Sequence, residues 1–125
     1  IPLLGAVAAG GLVETFDDVQ ETLDMNYIIK KRDVFALVVN GDSMVDSYIA
    51  DGDVVLMEPV VEPSRLRNGT VVSALVAGSG TTLKHFHRSG SLIRLEAANP
   101  AYEPIELSAD QVKVQGKLLA VWRQV

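Results

Sequence analysis

Two residues in this chain have the types and the setting to make a bond-cleaving pair. Ser43 lies in Asn40-Gly41-Asp42-Ser43-Met44, shortly before Asp51-Gly52-Asp53, and Lys84 lies in the later run Thr81-Thr82-Leu83-Lys84-His85-Phe86-His87-Arg88. A serine hydroxyl is a weak nucleophile until a neighbour takes its proton, and a lysine stripped of water can do that without a histidine or a third residue. A short helix is expected over residues 44–49 with Ser43 at or near its N-terminus, which would converge backbone N–H groups beside the hydroxyl and suit an oxyanion. The small residues of Val7-Ala8-Ala9-Gly10 offer such a pair a substrate within the same chain, because a bent, glycine-containing backbone can approach a nucleophile closely.

The same residues admit plainer readings. Gly-Asp-Ser is a common turn string, and Ser43 as a helix cap needs no chemistry. In the Lys84 run, the two-residue period of a strand puts Thr82, Lys84 and Phe86 on one face and Leu83, His85 and His87 on the other. Burial of the first face would desolvate the ammonium and free its amine to accept a proton near neutrality. A lysine snorkelling to solvent would do neither. His85 and His87 are rival bases: a triad of Ser43, one histidine and Asp46, Asp51 or Asp53 is allowed by composition, with no member favoured by order or spacing. Two histidines two residues apart, without cysteine or an obvious third ligand, make a thin metal site, and no metal or cofactor is expected. Asp42, Asp46, Asp51 and Asp53 read as turn caps and solvated surface, not as a calcium loop or a paired-carboxylate site.

These groups must be positioned by a small β framework. With 125 residues and 48% hydrophobic content, the chain suits one domain, residues 1–125, with its own core. A net charge of -5 argues against a surface that grips nucleic-acid phosphates by itself. The absence of cysteine removes disulfides, thiolate nucleophiles and cysteine zinc sites. No apolar run approaches the roughly 18 residues of a membrane span, and Ala6-Val7-Ala8 lacks the basic segment that precedes a signal-peptide cleavage site. Beginning at Ile1-Pro2 without an initiator Met, the chain reads as a piece trimmed from something longer, with a domain upstream. Residues 1–11 suit an extended segment running into a loop, and residues 14–24 an acidic solvated loop or edge. Strands are expected over residues 34–40, 53–58, 70–76, 81–87, 92–96 and 112–122, with residues 69–94 forming a three-stranded meander. The expected class is mainly β: a compact antiparallel domain of short twisted strands with one short helix at the nucleophile.

Taken together, the motifs resemble a known family. Pro2-Leu3-Leu4-Gly5, Val7-Ala8-Ala9-Gly10, Val39-Asn40-Gly41-Asp42-Ser43-Met44 and Ile49-Ala50-Asp51-Gly52-Asp53 stand in order. They are followed by Arg67-Asn68-Gly69-Thr70-Val71-Val72, Thr82-Leu83-Lys84, Ala98-Asn99-Pro100-Ala101-Tyr102 and Gly116-Lys117-Leu118-Leu119-Ala120-Val121. Over almost its whole length the chain resembles the C-terminal domain of LexA-type repressors, within the wider group of self-cleaving repressors, UmuD-like proteins and signal peptidases that share a Ser-Lys dyad.

The resemblance implies that Ser43 attacks the carbonyl of Ala9, with Lys84 as general base, cutting between Ala9 and Gly10. It implies main-chain amides of Asp42 and Ser43 for the oxyanion, and Val7 and Ala8, with Ala9, as the recognised side chains. It further implies a cytoplasmic homodimer paired through residues 112–125. Its activator would be the RecA filament on single-stranded DNA in the SOS response. Operator DNA would be held only by an upstream helix-turn-helix domain absent from this chain. The chain departs from some relatives at Asp42, where they carry an apolar residue. The acidic stretch 14–24 and Lys30-Lys31-Arg32 match no assigned chemistry. Two alternatives share the fold: a catalytically silent dimerisation module, and a UmuD-like self-processing protein of damage-tolerant DNA synthesis. A membrane signal peptidase is disfavoured for want of a visible anchor.

Overall fold

Short β-branched and apolar runs, punctuated by glycine turns, form strands because their side chains pack well on a pleated surface with one face buried. The computed structural model describes residues 3–8 and 13–15 as backbone strand and residues 33–124 in full. Among the described residues there are nine strands: β1 (Leu3–Ala8), β2 (Val13–Thr15), β3 (Phe35–Asn40), β4 (Val54–Pro59), β5 (Thr70–Val76), β6 (Gly80–Ser89), β7 (Leu92–Glu96), β8 (Ile105–Ser108) and β9 (Val112–Trp122). They form one sheet in the order β2-β1-β3-β4-β9-β5-β6-β7-β8. Among these pairs only β1 with β3 runs parallel, so the fold is mainly antiparallel β, as expected from the sequence.

The six expected strands are present, and β5, β6 and β7 make the expected meander. β8 adds to the expected set; it is a four-residue edge strand with alternate residues exposed, too short to carry a pattern. The expected helix over residues 44–49 is corrected to a single 3-10 turn, Val45–Ser47, and two further 3-10 turns lie at Pro63–Arg65 and Ala109–Gln111. The first turn stops at Tyr48, whose left-handed φ of 62° ends helical geometry. Ser43 does not cap this turn: the cap position is Met44, with no side-chain cap bond. Ala9, Gly10, Lys30-Lys31-Arg32 and most of the acidic stretch fall outside the described residues.

The sheet encloses two main apolar clusters. Leu37, Val39, Met44, Ile49, Val55, Met57 and Leu83 form one, and Val72, Ala74, Val76, Phe86, Ile93, Leu95 and Val114 the other. The first matters for function because Met44 and Ile49 plug the serine loop into it.

β9 crosses the sheet between β4 and β5, with Gly116 in register with Pro59 on one side and Ser73 on the other. A Cβ at Gly116 would lie 2.8 Å from Phe35 Cζ and 3.1 Å from both Glu58 O and Met57 Cβ. Alanine normally suits a strand better than glycine, yet here the tip of the Phe35 ring would have to shift and the Glu58 carbonyl and Met57 would be crowded. Gly116→Ala is therefore expected to lower stability by about 2 kcal/mol, read as a lower urea midpoint at unchanged slope.

Candidate active site

The serine loop is closed at its neck by main-chain bonds: Gly52 N donates to Val39 O at 2.7 Å and Val39 N to Asp53 O at 2.8 Å. Inside the neck, Gly41 at φ 103° turns the chain out of β3, a conformation that favours glycine. Asp51 Oδ1 accepts from Gly41 N at 2.7 Å, and Asp53 Oδ2 accepts from Ala50 N at 2.8 Å. The turn-capping role read for these two aspartates holds. The solvated role fails for Asp53, which is only 2% exposed.

With Met44 and Ile49 fully sunk in the core, Ser43 is turned inward at 0% exposure. There Lys84 Nζ lies 3.1 Å from Ser43 Oγ and 2.6 Å from Thr82 Oγ1. Lys84 is 2% exposed, and β5 sets the buried Val72 opposite it and Ala74 opposite Thr82. Thr82, Lys84 and Phe86 thus form a buried face of β6. Burial pushes the lysine down to about 8, because the ammonium loses most of its solvation there. The geometry brings a hydroxyl into contact with a buried amine that gives up its proton near pH 8, as a serine nucleophile with an amine base requires.

The rival bases lie elsewhere. His85 Nε2 is 2.9 Å from Ser47 Oγ and its Nδ1 is 2.8 Å from Gly69 O, while His87 Nε2 is 3.4 Å from Glu96 Oε2. No group of side chains among the described residues is arranged to hold a metal ion. Of the aspartates open to a triad, Asp51 accepts from the Gly41 amide and Asp53 is taken up by Arg123. Asp53 takes a two-pronged bond from Arg123, Nε to Oδ1 at 2.7 Å and Nη2 to Oδ2 at 2.6 Å, and this holds its carboxyl below the usual range.

That ion pair ties the end of β9 to the serine loop, and Arg123 Nη2 also donates to Tyr48 O at 3.3 Å. Asp53→Asn is expected to cost about 1 kcal/mol at pH 7, a figure discounted for the water around the guanidinium. Because the folded carboxyl titrates low, its contribution is present above the ordinary carboxylate range and lost as pH falls through the folded value. The stability gap between parent and variant should therefore close in acid, as urea titrations at several pH values would record.

Residues of one further loop reach the serine turn, and sequence reasoning gave them no role. Asn99 Nδ2 donates to Asp42 O at 2.9 Å, Tyr102 Oη donates to Asp42 Oδ1 at 2.6 Å, and Asp46 N donates to Ala98 O at 2.7 Å. The bond to Asp42 raises the Tyr102 phenol above its ordinary value. Thr82 carried a legible signal, its shared strand face with Lys84; Arg123 carried none.

β1 runs beside β3 with Ala8 in register with Asn40, where the chain leaves β3 toward Ser43. The side chains of Val7 and Ala8 and the whole of Ala9 and Gly10 lie outside the described residues.

Comparison with known proteins places this geometry in context. The sequence matches the Peptidase S24-like family over residues 2–119. It is 40% identical to the LexA repressor of Koribacter versatilis (strain Ellin345) over 124 residues, covering 99% of this chain and 57% of that protein. It is 40% identical to the LexA repressor of Desulfatibacillum aliphaticivorans over 129 residues, covering 100% of this chain and 62% of the relative. The LexA repressor of Ruegeria sp. (strain TM1040) is 41% identical over 125 residues, at 98% and 51% coverage. The chain thus spans between about half and three fifths of these curated relatives. No helix among the described residues is long and apolar enough to cross a membrane.

Proposed function

The chain belongs to the Peptidase S24-like family, and from that premise we propose that it is the C-terminal domain of a LexA-type repressor that cuts its own Ala9–Gly10 bond. Ser43 is the nucleophile and Lys84 the general base. The observation that carries this reading is the 3.1 Å contact of Lys84 Nζ with Ser43 Oγ in a water-poor setting.

The chemistry follows from the arrangement. The neutral Lys84 amine takes the Ser43 proton as Oγ adds to the Ala9 carbonyl carbon, while Thr82 Oγ1 accepts from the amine and keeps its lone pair aimed at the serine. The resulting oxyanion is held by the main-chain N–H groups of Ser43 and Asp42. Collapse breaks the Ala9–Gly10 bond as the lysine returns its proton to the Gly10 amine, leaving an ester between Ala9 and Ser43. Water, deprotonated by the same amine, then hydrolyses the ester and restores Ser43. The register of Ala8 with Asn40 supports the substrate assignment, because an added strand delivers its next peptide bond toward the turn that follows β3. Tethering makes the attack unimolecular and gives it a high effective concentration.

In the whole protein, the cut separates an upstream DNA-binding domain from this one and inactivates the repressor in the SOS response, with the RecA filament as activator. Homodimers form through the distal part of β9. Among the described residues that part pairs with β4 on one side, whereas the β5 pairing reaches only Lys117, which leaves them a stretch of strand edge with the exposed Val121 and Trp122 to offer a partner. Intact-mass measurement of the purified chain across pH, with Ser43→Ala and Lys84→Ala beside it, tests the cleavage. A chain that stays whole while folded, at every pH, would leave only the dimerising role.

A further inference from the structure

One of the two oxyanion donors in this reading is the Ser43 N–H, which belongs to the same rigid peptide unit as the Asp42 carbonyl. In a trans peptide the C=O and N–H point in opposite directions, and the chain has no cis bonds among its described residues. Whatever fixes the Asp42 carbonyl therefore fixes where the Ser43 N–H points. That carbonyl accepts from Asn99 Nδ2 at 2.9 Å, and from Val45 N at a longer 3.3 Å. Asn99 is itself held in place, since its Oδ1 accepts from Ala101 N at 2.9 Å and its own carbonyl accepts from Tyr102 N at 3.1 Å, closing a turn with Pro100 at its second position. The same turn lets the Tyr102 hydroxyl grip the Asp42 side chain, and a few residues away Ala98 O receives Asp46 N.

We infer that Asn99 and Tyr102 are positioning residues, which hold the Asp42–Ser43 peptide so that its N–H faces the developing oxyanion. This rests on the reading of Ser43 as nucleophile. A donor on the carbonyl also polarises the peptide and makes the opposite N–H a stronger donor. The serine turn on its own is a poor anchor for that peptide: it is one 3-10 turn long, and its φ angles change hand at Gly41 and again at Tyr48. A turn so short is held in one orientation by outside bonds, and residues 98–102 supply three.

The test uses the 125-residue chain and two reactions at Ser43. One is self-cleavage followed by intact mass; the other is phosphonylation by a small organophosphorus fluoride. The second needs the nucleophile, base and oxyanion donors but no docked peptide. Asn99→Asp keeps the shape and the Oδ1 acceptor but removes the donor, and is expected to slow both reactions about tenfold or more. Tyr102→Phe is expected to slow both about threefold to tenfold, and Asp42→Asn on top of it should add little, because the two share one bond. The pH midpoint of the rates, which belongs to Lys84, stays where it is in all variants. A purely structural loop would lower the melting temperature and leave both rates, taken well below melting, within about twofold of the parent; that result overturns the inference. A parent chain that is neither cut nor labelled overturns the dyad reading itself. A labelled parent with unaffected loop variants overturns only the role of Asn99 and Tyr102.

Discussion

Loss of residues 1–9 from the chain is expected to track the fraction of Lys84 held as neutral amine, rising about tenfold per pH unit up to about pH 8 and levelling above it. An ordinary lysine side chain would postpone the plateau by more than two units, so the midpoint reports burial directly. At pH 6 the rate should stand roughly a hundredfold below the plateau. Hydroxide-driven hydrolysis also climbs with pH, but it has no plateau and ignores the serine. Ser43→Ala and Lys84→Ala are each expected to slow the cut by roughly a thousandfold or more. The double variant should be no slower than either, because nucleophile and base act as one unit. Intact-mass time courses from pH 5 to 11 decide the matter. A rate that keeps rising past pH 10 would mean that Lys84 keeps an ordinary affinity for its proton, and a rate that survives Lys84→Ala would remove the lysine from the mechanism.

The parts of the molecule legible in its sequence are those set by local pattern. The strands around Val72, Leu83 and Leu95 announce themselves by β-branched runs between glycine turns, and the meander follows from those turns alone. The alternation that puts Lys84 on the face of Phe86 is equally visible. Whether that face is buried is not, because the decision is made by β5, whose Val72 and Ala74 stand opposite Lys84 and Thr82. Contacts across long separations leave no trace. The grip of Arg123 on Asp53 and that of Tyr102 on Asp42 join residues 70 and 60 positions apart, and neither member of either pair has a side chain unusual for its place. The helix expected after Ser43 fails for a different reason. Residues 44–49 carry an apolar spacing suited to a helix, but Met44 and Ile49 both enter the core while Tyr48 takes a left-handed turn between them. Tertiary packing overrides the local preference.

Replacing Lys84 by Met should make the protein gain stability relative to its parent below pH 8 and lose that advantage as the solution becomes alkaline. The sign follows from proton binding. The folded amine titrates near 8 and the unfolded one near 10.5, so between those values the unfolded chain holds the extra proton and the parent becomes more stable as pH rises. Below pH 8 the parent carries the full penalty of a buried cation. Above 10.5 the amine is neutral in both states and the penalty is gone. The difference amounts to about 3 kcal/mol across the window. Methionine fills a similar volume without charge but forfeits the bond to Thr82 and, where the serine is present, that to Ser43, which subtracts a pH-independent amount of about 1–3 kcal/mol. The absolute gap at one pH is therefore a poor measure, and its change between pH 7 and 10.5 a good one. Urea unfolding should compare Ser43→Ala with Ser43→Ala combined with Lys84→Met, so that neither chain cuts itself during the titration. A gap independent of pH would mean that Lys84 is hydrated in the folded chain and has an ordinary affinity for its proton. It would then be too well solvated to serve as the base. A gap that narrows by several kcal/mol would mean that the fold gives up stability at neutral pH to keep that amine dry, and the same dryness is what makes it able to take a proton from serine.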